Sequence, residues 1–314
     1  MSSRLDVATL AAQEAGRELL ALWPSVLADG DFGTKSSDTD PVTRADTAAQ
    51  EIVAGRLGAA FPDDELVGEE GLRHSGGSGW RWAIDPLDGT VNFLYGRDDW
   101  AVSIAGQDAG GTAVAVVHAP VSGRLYTAVR GEGAWLGSRR LRVGSDGVLG
   151  TAVVGTGFSY TSLGRSYQGA VLARLLPLVA DIRRSGSAAL DLAAVAAGAL
   201  DAFYEDDLSL WDWAAGALLA SEAGALVRPL PGLDGRSGVL AARPELMSEI
   251  VGLVLELQGH TGQPGTVLEQ PVLDLGIAGG GECRAGLLVV EVAARDACVR
   301  VRADGQPCLG HGCE

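Results

Sequence analysis

Cysteine is scarce in this chain and is confined to one end. The four cysteines among the 314 residues are Cys283, Cys298, Cys308 and Cys313. The residues before position 280 therefore contain no disulfide framework, and packing has to stabilise them. A hydrophobic content of 47% supports a large buried core, and the length fits roughly two domains of about 150 residues each.

Long apolar runs are absent as well. No stretch contains the about 18 consecutive uncharged, apolar residues that indicate a membrane-spanning helix. The first residues, MSSRLDVATLAAQEAGRELLALW, carry Asp6, Glu14 and Glu18 inside an apolar pattern. That pattern is typical of an amphipathic helix and not of a signal peptide, so we expect a cytoplasmic protein with no membrane partner.

Basic residues are few compared with acidic ones. The chain has 24 Lys and Arg against 40 Asp and Glu, a formal net charge of −16. This charge opposes nonspecific attraction to nucleic acid and to anionic membranes, so no nucleic-acid partner is expected. A phosphorylated substrate would also be repelled unless a bound cation reversed the charge locally.

Helical and strand-like patterns divide the chain into blocks. Apolar residues have helical spacing over residues 5–22 and 44–60, with Thr43 placed to cap the second helix. Short strand-like runs punctuated by Gly, Pro and Asp follow, and we expect them to form an antiparallel sheet. Past about residue 144, apolar strands and helices alternate, which indicates an α/β block.

Three regions follow from this organisation. We predict an N-terminal α+β domain of residues 1–143, a C-terminal α/β domain of residues 144–262, and a Gly-rich, Cys-containing extension of residues 263–314. The segment ELMSEIVGLVLEL is predicted to be a closing helix. Within the extension, GLLVVEVAA and ACVRVRA are predicted to pair as a hairpin.

The segment WAIDPLDGTVNFLYG, residues 82–96, places two acids directly after an apolar run. Asp-Pro and Asp-Gly are ordinary turn signals, so one interpretation is a tight turn. The other is a cation site, because the carboxylates of Asp85 and Asp88 and the carbonyl of Leu87 are the hard oxygen ligands that Mg²⁺ prefers. This segment alone leaves both open.

Three further acids stand at comparable points. Glu69, followed by Glu70, ends a strand-like run in DDELVGEEGL; Asp46 enters a helix in TRADTAAQ, and Asp212 enters another in LSLWDWAAGALLASEAGA. Taken singly, a solvated turn explains Glu69, and an N-cap explains either aspartate. Taken together, these acids stand at strand ends and helix starts. A layered fold can direct side chains at such points into a single crevice.

The motifs GEE, W-x-IDPLDGT-x-NF and WD-x-AAG occur in that order. The chain resembles, over roughly residues 5–257, the Mg²⁺-dependent, lithium-sensitive inositol monophosphatase superfamily. The resemblance implies an α/β (α+β) fold, a layered αβαβα sandwich of the sugar phosphatase type, and a homodimer. In YGRDDWAVSI this chain lacks the proline that the family commonly has before that strand, which puts the shape of the neighbouring loop in doubt.

The resemblance also implies the metal ligands and the groups that handle water. Two or three Mg²⁺ ions would be held by Glu69, Asp85, Asp88, Asp212 and the carbonyl of Leu87. Thr90, supported by Asp46, matches the pair that orients the attacking water together with Glu69. The alternative for Thr90 is a turn hydroxyl bonded to nearby backbone.

The remaining predicted site residues contact the substrate. Glycine at position 89 lets the N–H groups of Gly89 and Thr90 approach phosphate oxygens, and Asp88 and Asp212 also face the substrate. In RSGSAA, the helix start at Gly186, Ser187 and Ala188 is predicted to face the organic half. Glu205 resembles the family's hydroxyl-binding glutamate, or is a strand-end charge. Lys35 resembles a lysine near metal and phosphate, or is a solvated loop residue.

The leading function is therefore hydrolysis of a small phosphate monoester, myo-inositol 1-phosphate above others, by metal-activated water. Histidinol phosphate, fructose 1,6-bisphosphate, 3′-phosphoadenosine 5′-phosphate and NADP are alternative substrates of related enzymes. A regulatory, partner-binding protein of the same fold is a further alternative. In the extension, Cys298, Cys308, His311 and Cys313 provide soft ligands for zinc, although their spacing is not a standard one, and a weakly docked tail is the simpler interpretation.

Overall fold

Two β-sheets of unequal size, with eight and five strands and each covered by helices, organise the described residues of the first compact unit, Met1–Leu255. The computed structural model describes residues 3–29, 33–34, 41–144, 147–231, 237–261, 268–270, 288–292 and 299–303. The α-helices are, in chain order, α1 (Arg4–Asp29), α2 (Arg44–Ala60), α3 (Thr90–Leu94), α4 (Ser162–Leu175), α5 (Ala188–Ala196), α6 (Leu210–Glu222) and α7 (Pro244–Thr261). Short 3₁₀ turns cover Leu149–Thr151 and Leu176–Leu178.

The first helix is longer than its sequence pattern predicts. We expected it to end at residue 22, before Pro24, yet α1 continues to Asp29. A proline inside a helix removes one backbone hydrogen bond and strains the preceding turn. Val26 is fully buried in the cluster that α1 forms with its neighbours, and this burial offsets the cost.

The larger sheet has eight strands. Its strands are, in chain order, β3 (Glu65–Gly68), β4 (Arg73–His74), β5 (Arg81–Asp88), β6 (Ala101–Asp108), β7 (Gly111–Ala119), β8 (Arg124–Val129), β9 (Gly133–Leu136) and β10 (Arg139–Arg140), and a separate pair is formed by β1 (Gly33–Thr34) and β2 (Pro41–Val42). The spatial order is β10-β9-β8-β7-β6-β5-β3-β4.

The prediction of a purely antiparallel sheet is wrong at one pair. β3 and β5 run parallel, whereas the other neighbours in this sheet are antiparallel. The physical reason is the short strand β4, which returns the chain along the outer edge of β3. The next strand, β5, therefore starts at the same end as β3 and lies on its inner side.

The smaller sheet has five strands and mixed direction. They are β11 (Val153–Thr156), β12 (Asp181–Arg183), β13 (Ala202–Leu208), β14 (Leu226–Pro231) and β15 (Ser237–Ala242), in the order β12-β11-β13-β15-β14. β11 is parallel to β12 and β13, as expected when helices such as α4 and α5 connect the strands. β15 is antiparallel to both β13 and β14.

Alternate side chains of β5 explain the layering. Trp82 and Ile84 are fully buried against α1 and α2, while Ala83 faces the opposite side, in a cluster with α5 and α6. The same two helices also pack on the smaller sheet, where Leu192 and Phe203 are fully buried. A strand that is buried on both faces has a nearly continuous run of apolar residues. The sequence WAI, which precedes the acids of β5, is such a run. The predicted layered αβαβα sandwich is confirmed.

The chain forms two compact units, Met1–Leu255 and Glu256–Glu314. In the second unit, β16 (Leu268–Gln270), β17 (Leu288–Val292) and β18 (Val299–Ala303) form an antiparallel sheet. The predicted pairing of GLLVVEVAA with ACVRVRA is thereby confirmed. The division at residues 143 and 262 stays a prediction.

Several predicted features fall outside the described residues. These are the four cysteines, His311 with its proposed zinc site, and Lys35. Within the described residues, no helix combines the length and the apolar character needed to cross a bilayer.

Candidate active site

The strand that carries the DPLD sequence ends in a β-bulge. Asp85 pairs with Ser103 and Asp88 pairs with Ala101, so three steps along β5 match two steps along β6. Residues three apart on a regular strand point to opposite faces, and one extra residue brings them back to the same side. Asp85 and Asp88 accordingly line one cavity.

The strand at the centre of the smaller sheet ends in the same way. Glu205 pairs with Val239 and Leu208 pairs with Ser237, again three steps against two. Inside this bulge Asp207 has a φ of 69°, a left-handed conformation that Asp tolerates better than most residues. Glu205 and Asp207 line the same cavity as the acids of β5.

The cavity has a volume of about 320 Å³ and receives residues from both sheets. Twelve of the predicted site residues lie within the described part of the chain, and eleven of them line the cavity: Glu69, Asp85, Leu87, Asp88, Gly89, Thr90, Gly186, Ser187, Ala188, Glu205 and Asp212. The twelfth, Asp46, lies behind Thr90 and contacts it. The structure thus brings together side chains that are up to 143 positions apart in the chain (212 − 69).

Asp88 is held across the gap between the two sheets. Its Oδ2 accepts hydrogen bonds from the Ser187 hydroxyl at 2.6 Å and from the Ala189 amide at 2.7 Å. Burial raises the pKa of Asp88 to about 6 although these two bonds lower it, and the negative charge of Glu69 raises it further. A carboxylate in this position gains from a neighbouring cation, because a cation favours its ionised form.

Thr90 and Asp46 form a buried hydrogen-bonded pair. The Thr90 hydroxyl lies 3.1 Å from Asp46 Oδ1 and 3.1 Å from the Leu87 carbonyl, and its single proton serves one acceptor at a time. Asp46 is not the N-cap of α2, because Thr43 has that position. Asp46 is at N3, the third helical position, and completes a capping box with Thr43. Asp46 Oδ2 accepts from the Thr43 amide at 2.8 Å and from its hydroxyl at 2.6 Å. Local capping therefore fixes the acid that supports Thr90.

Two glycines let the turns of the two sheets approach each other. Gly89 has a φ of 101°, and a Cβ there would lie 2.9 Å from the Asp99 carbonyl oxygen and 3.3 Å from that of Gly186. Gly186 has a φ of 96°, and a Cβ there would lie 2.7 Å from Asn92 Nδ2. Side chains are thus excluded at both positions by conformation and by space.

The acid that enters α6 follows the same pattern as Asp46. Asp212 Oδ2 accepts from the Ser209 amide at 2.7 Å. Ser209 is the N-cap of α6, and Asp212 is at N3, where it completes the capping box. The pKa of Glu205 is raised well above its usual value. Burial is the largest cause, and the negative charge of Asp212 is the next largest. The Glu205 carboxylate packs directly against Gly157, where a Cβ would overlap it.

Some residues of the cavity were not predicted. Asp191 and Arg184 line it, and burial raises the pKa of Asp191 to about 7, against a hydrogen bond with Ser185 that lowers it. A signal for Asp191 was present, since it is one acid within the apolar helix sequence SAALDLAAVAA. Arg184 carried no comparable signal, because it follows another arginine on an exposed-looking strand.

A second unpredicted group forms one wall of the cavity. Phe158, Ser159 and Tyr160 follow β11 and line it. Gln168 on α4 holds this wall: its Oε1 accepts from the Ser159 amide at 2.7 Å, and its Nε2 donates to Asp206 in the bulge of β13. The sequence GTGFSYTS contains no charge or repeat that would have indicated this role.

The donors of the cavity fit a hard cation. One described residue of its lining is basic, Arg184, and seven are acidic: Glu69, Asp85, Asp88, Asp191, Glu205, Asp207 and Asp212. Among the described residues, no three His, Cys, Asp or Glu side chains are grouped so as to hold an ion between them. Mg²⁺ prefers oxygen ligands and is usually held by one or two carboxylates, with water and phosphate oxygens completing its shell, so the carboxylate oxygens of this cavity suit it.

Comparison with known proteins identifies the family. The inositol monophosphatase family model matches residues 1–258. An inositol-1-monophosphatase from Mycobacterium leprae is 42% identical over 243 residues, 73% of this chain and 83% of that protein. A protein named Nus factor SuhB from Pasteurella multocida is 39% identical over 260 residues, 81% of this chain and 96% of its own length.

The fold has solved counterparts. The crystal structure of extragenic suppressor protein suhB from Bartonella henselae superposes with a TM-score of 0.75 at 35% sequence identity, covering 82% of this chain and 99% of that one. The chain therefore belongs to the inositol monophosphatase family, a family of phosphoric monoester hydrolases.

Proposed function

We propose that the chain hydrolyses myo-inositol 1-phosphate to myo-inositol and phosphate, with Mg²⁺ as its cofactor. The observation that carries this proposal is the shared cavity, where acids at the end of β5 meet a second set at the end of β13. The first set suits cations, and the second suits the hydroxyls of a polyol. The general metal dependence of the family supports the cofactor.

Five groups would hold two or three Mg²⁺ ions. They are the carboxylates of Glu69, Asp85, Asp88 and Asp212 and the backbone carbonyl of Leu87. When bound, Mg²⁺ lowers the pKa of a coordinated water and stabilises charge on the phosphate and leaving oxygens. No side-chain nucleophile is then required.

Thr90, Asp46 and Glu69 would orient the attacking water. A Thr90 hydroxyl that donates its proton to Asp46 keeps its oxygen lone pairs for a water, so it accepts a hydrogen bond and fixes the direction of attack. The N–H groups of Gly89 and Thr90 would donate to phosphate oxygens. Glycine suits position 89 because it adopts the φ of 101° that this turn requires, and the turn presents the two N–H groups.

The organic half of the substrate would lie toward the smaller sheet. The turn of Gly186, Ser187 and Ala188 at the start of α5 and the carboxylate of Glu205 would bind its hydroxyls. Asp88 and Asp212 would contribute from the metal side. An ionised Glu205 accepts hydrogen bonds from hydroxyls, and such charge-assisted bonds contribute more than neutral ones.

Phosphate release by the purified full chain tests this proposal. We expect turnover of myo-inositol 1-phosphate with Mg²⁺, loss of turnover in EDTA, recovery when Mg²⁺ is restored, and inhibition by Li⁺ and by excess Mg²⁺. Full activity in EDTA would contradict the cofactor.

A panel of phosphates tests the substrate. It contains histidinol phosphate, fructose 1,6-bisphosphate, 3′-phosphoadenosine 5′-phosphate and NADP. A higher kcat/KM for any of these would replace inositol phosphate as the substrate. The partner-binding alternative is not favoured over catalysis by any contact among the described residues, although one relative is named Nus factor SuhB.

A further inference from the structure

The start of α5 binds a predicted metal ligand across the gap between the sheets. Ser187 and Ala189 both donate to the same oxygen of Asp88, Oδ2, at 2.6 and 2.7 Å, although Ser187 is 99 residues away in the chain. Ser187 is also the N-cap of α5, since its hydroxyl oxygen accepts from the Leu190 amide. One hydroxyl thus caps a helix and holds an acid of the other sheet.

Three donors at the start of α5 fix the direction of the Asp88 carboxylate. The Ser187 hydroxyl and the Ala189 amide donate to Oδ2, and the Ala188 amide also donates to this carboxylate and lowers its pKa. We infer that Ser187 is a positioning residue for Asp88: its hydroxyl fixes the orientation in which the carboxylate is presented to a divalent cation. This inference rests on the proposed function, because it concerns the same metal site.

The hydroxyl of Ser187 has little freedom to do anything else. Ser187 is 1% exposed, and its single proton is directed to Asp88. Its turn is fixed from the other sheet as well, because Asn92 Nδ2 donates to the Ser185 carbonyl at 2.8 Å and to the Asp99 carbonyl at 2.6 Å. The Ser187 hydroxyl therefore acts through Asp88, and the contact of this turn with substrate hydroxyls proposed above would come from its backbone.

The expected effect is on metal affinity. Groups that hydrogen-bond a metal ligand fix its orientation, and their loss typically costs about 10- to 100-fold in metal affinity or activity. Without the hydroxyl, Oδ2 loses one donor and the Asp88 carboxylate is held less firmly in its orientation. Mg²⁺ binding should weaken, while the KM for substrate at saturating Mg²⁺ should change little.

Calorimetric titration of the full chain with Mg²⁺, without substrate, tests the inference. We expect Ser187→Ala to raise the Mg²⁺ dissociation constant by about tenfold and Ser187→Thr, which keeps the hydroxyl, to restore it. Ser187→Gly serves as a second variant, since glycine is a fair N-cap but lacks the donor. Thr161→Ala is the matched control, because the Thr161 hydroxyl caps α4 in the same way and lies near Ser159 rather than Asp88.

The outcomes separate the two proposals. A raised dissociation constant in Ser187→Ala or Ser187→Gly, with wild-type affinity in Thr161→Ala, supports the positioning role. Wild-type Mg²⁺ affinity in both Ser187 variants overturns it, whatever their KM. Absence of Mg²⁺ binding to the wild-type chain would instead overturn the proposed function, and this inference with it.

Discussion

The segment from β5 into α3 and the segment from β13 into α6 are built alike. Each is a buried strand that ends in a one-residue bulge, followed by a short turn and a helix. In each, acids lie in or next to the bulge and line the same cavity. A bulge bends a strand and redirects its side chains, so both sheets use one local device to present carboxylates at a strand end.

The surroundings make the two segments different. At the end of β5, Asp85 Oδ1 accepts from the Leu87 amide at 2.9 Å, and Asp88 accepts from the start of α5. At the end of β13, Glu205 packs on Gly157, and burial raises its pKa. Burial raises the pKa of both Asp88 and Glu205, but hydrogen bonds from Ser187 and Ala189 lower that of Asp88. The comparison teaches that neighbours, and not the strand motif, make the two strand ends chemically different; under the proposed function this difference separates a cation ligand, Asp88, from a substrate-binding carboxylate, Glu205.

The substitution Asp88→Asn, on the β5 side, tests this comparison most directly and is expected to have the largest effect. We expect turnover to fall by on the order of 10²–10³-fold, as when a preorganised electrostatic contact is lost. In EDTA the variant should melt no lower than wild type, because Asn retains an oxygen for the Ser187 and Ala189 donors and carries no buried charge. When the Mg²⁺ concentration is about 100 times the dissociation constant, binding of one ion should raise the free energy of unfolding of the wild type by about 2.7 kcal/mol. The increase should be smaller for the variant.

Steady-state kinetics and thermal unfolding with and without Mg²⁺ measure these effects. Asp108→Asn is a control, since Asp108 pairs with Arg130 on the surface and does not line the cavity, and exposed ion pairs contribute little to stability. Wild-type turnover and a wild-type gain from Mg²⁺ in folded Asp88→Asn would show that DPLDG is only a turn.

The second test, also on the β5 side, is Thr90→Ala. Loss of the hydroxyl that orients water should lower kcat by about 10²-fold, within the usual range for groups that assist proton transfer. Mg²⁺ affinity should be retained, and Thr90→Ser should recover most of kcat. A fall in Mg²⁺ affinity equal to the fall in kcat would place Thr90 with the metal ligands instead.

On the β13 side, Glu205→Gln should act on substrate choice. We expect kcat/KM for inositol 1-phosphate to fall by about 10- to 100-fold, corresponding to a hydrogen bond to a charged group of about 1.5–3 kcal/mol. A simple aryl phosphate presents no hydroxyls to this carboxylate and should lose little. Equal losses on both substrates, measured side by side, would remove the functional distinction between the two strand ends.

The smallest effect is expected from a region outside both segments. Truncation after Gly262 removes most of the second compact unit, Glu256–Glu314, and every residue assigned to chemistry lies at or before Asp212. The shortened chain should keep most of its activity in the same assay. A soluble truncated protein without activity would mean that the comparison has left out a contributing region.

Much of the candidate site could be predicted from local sequence. The acids at positions 69, 85, 88 and 212 were predicted to converge, and all four line the cavity. Short-range chemistry explains why their positions could be predicted, because capping, turns and the ends of apolar runs depend on residues a few positions apart. Their roles stay predictions. The role of Thr43 as the cap of α2 is confirmed for the same reason.

Other features depended on residues far apart in the chain. The parallel pairing of β3 with β5 follows from the path of β4 and leaves no mark in either strand. Asp191, Arg184 and the wall from Phe158 to Tyr160 reach the cavity only because the smaller sheet packs beside the larger one. No local pattern reports such packing, since it is set by the burial of whole faces.

The sequence by itself determined which acids stand at strand ends and helix starts, which glycines allow close approach, and the family to which these motifs belong. Only the tertiary structure decided which faces the acids share and which donors hold them. A bulge reverses the side-chain alternation of β5, and the partner of Asp88 lies 99 residues away. Hydrogen bonds between distant segments form when packing brings them together, so their identity is a property of the fold and not of any one segment.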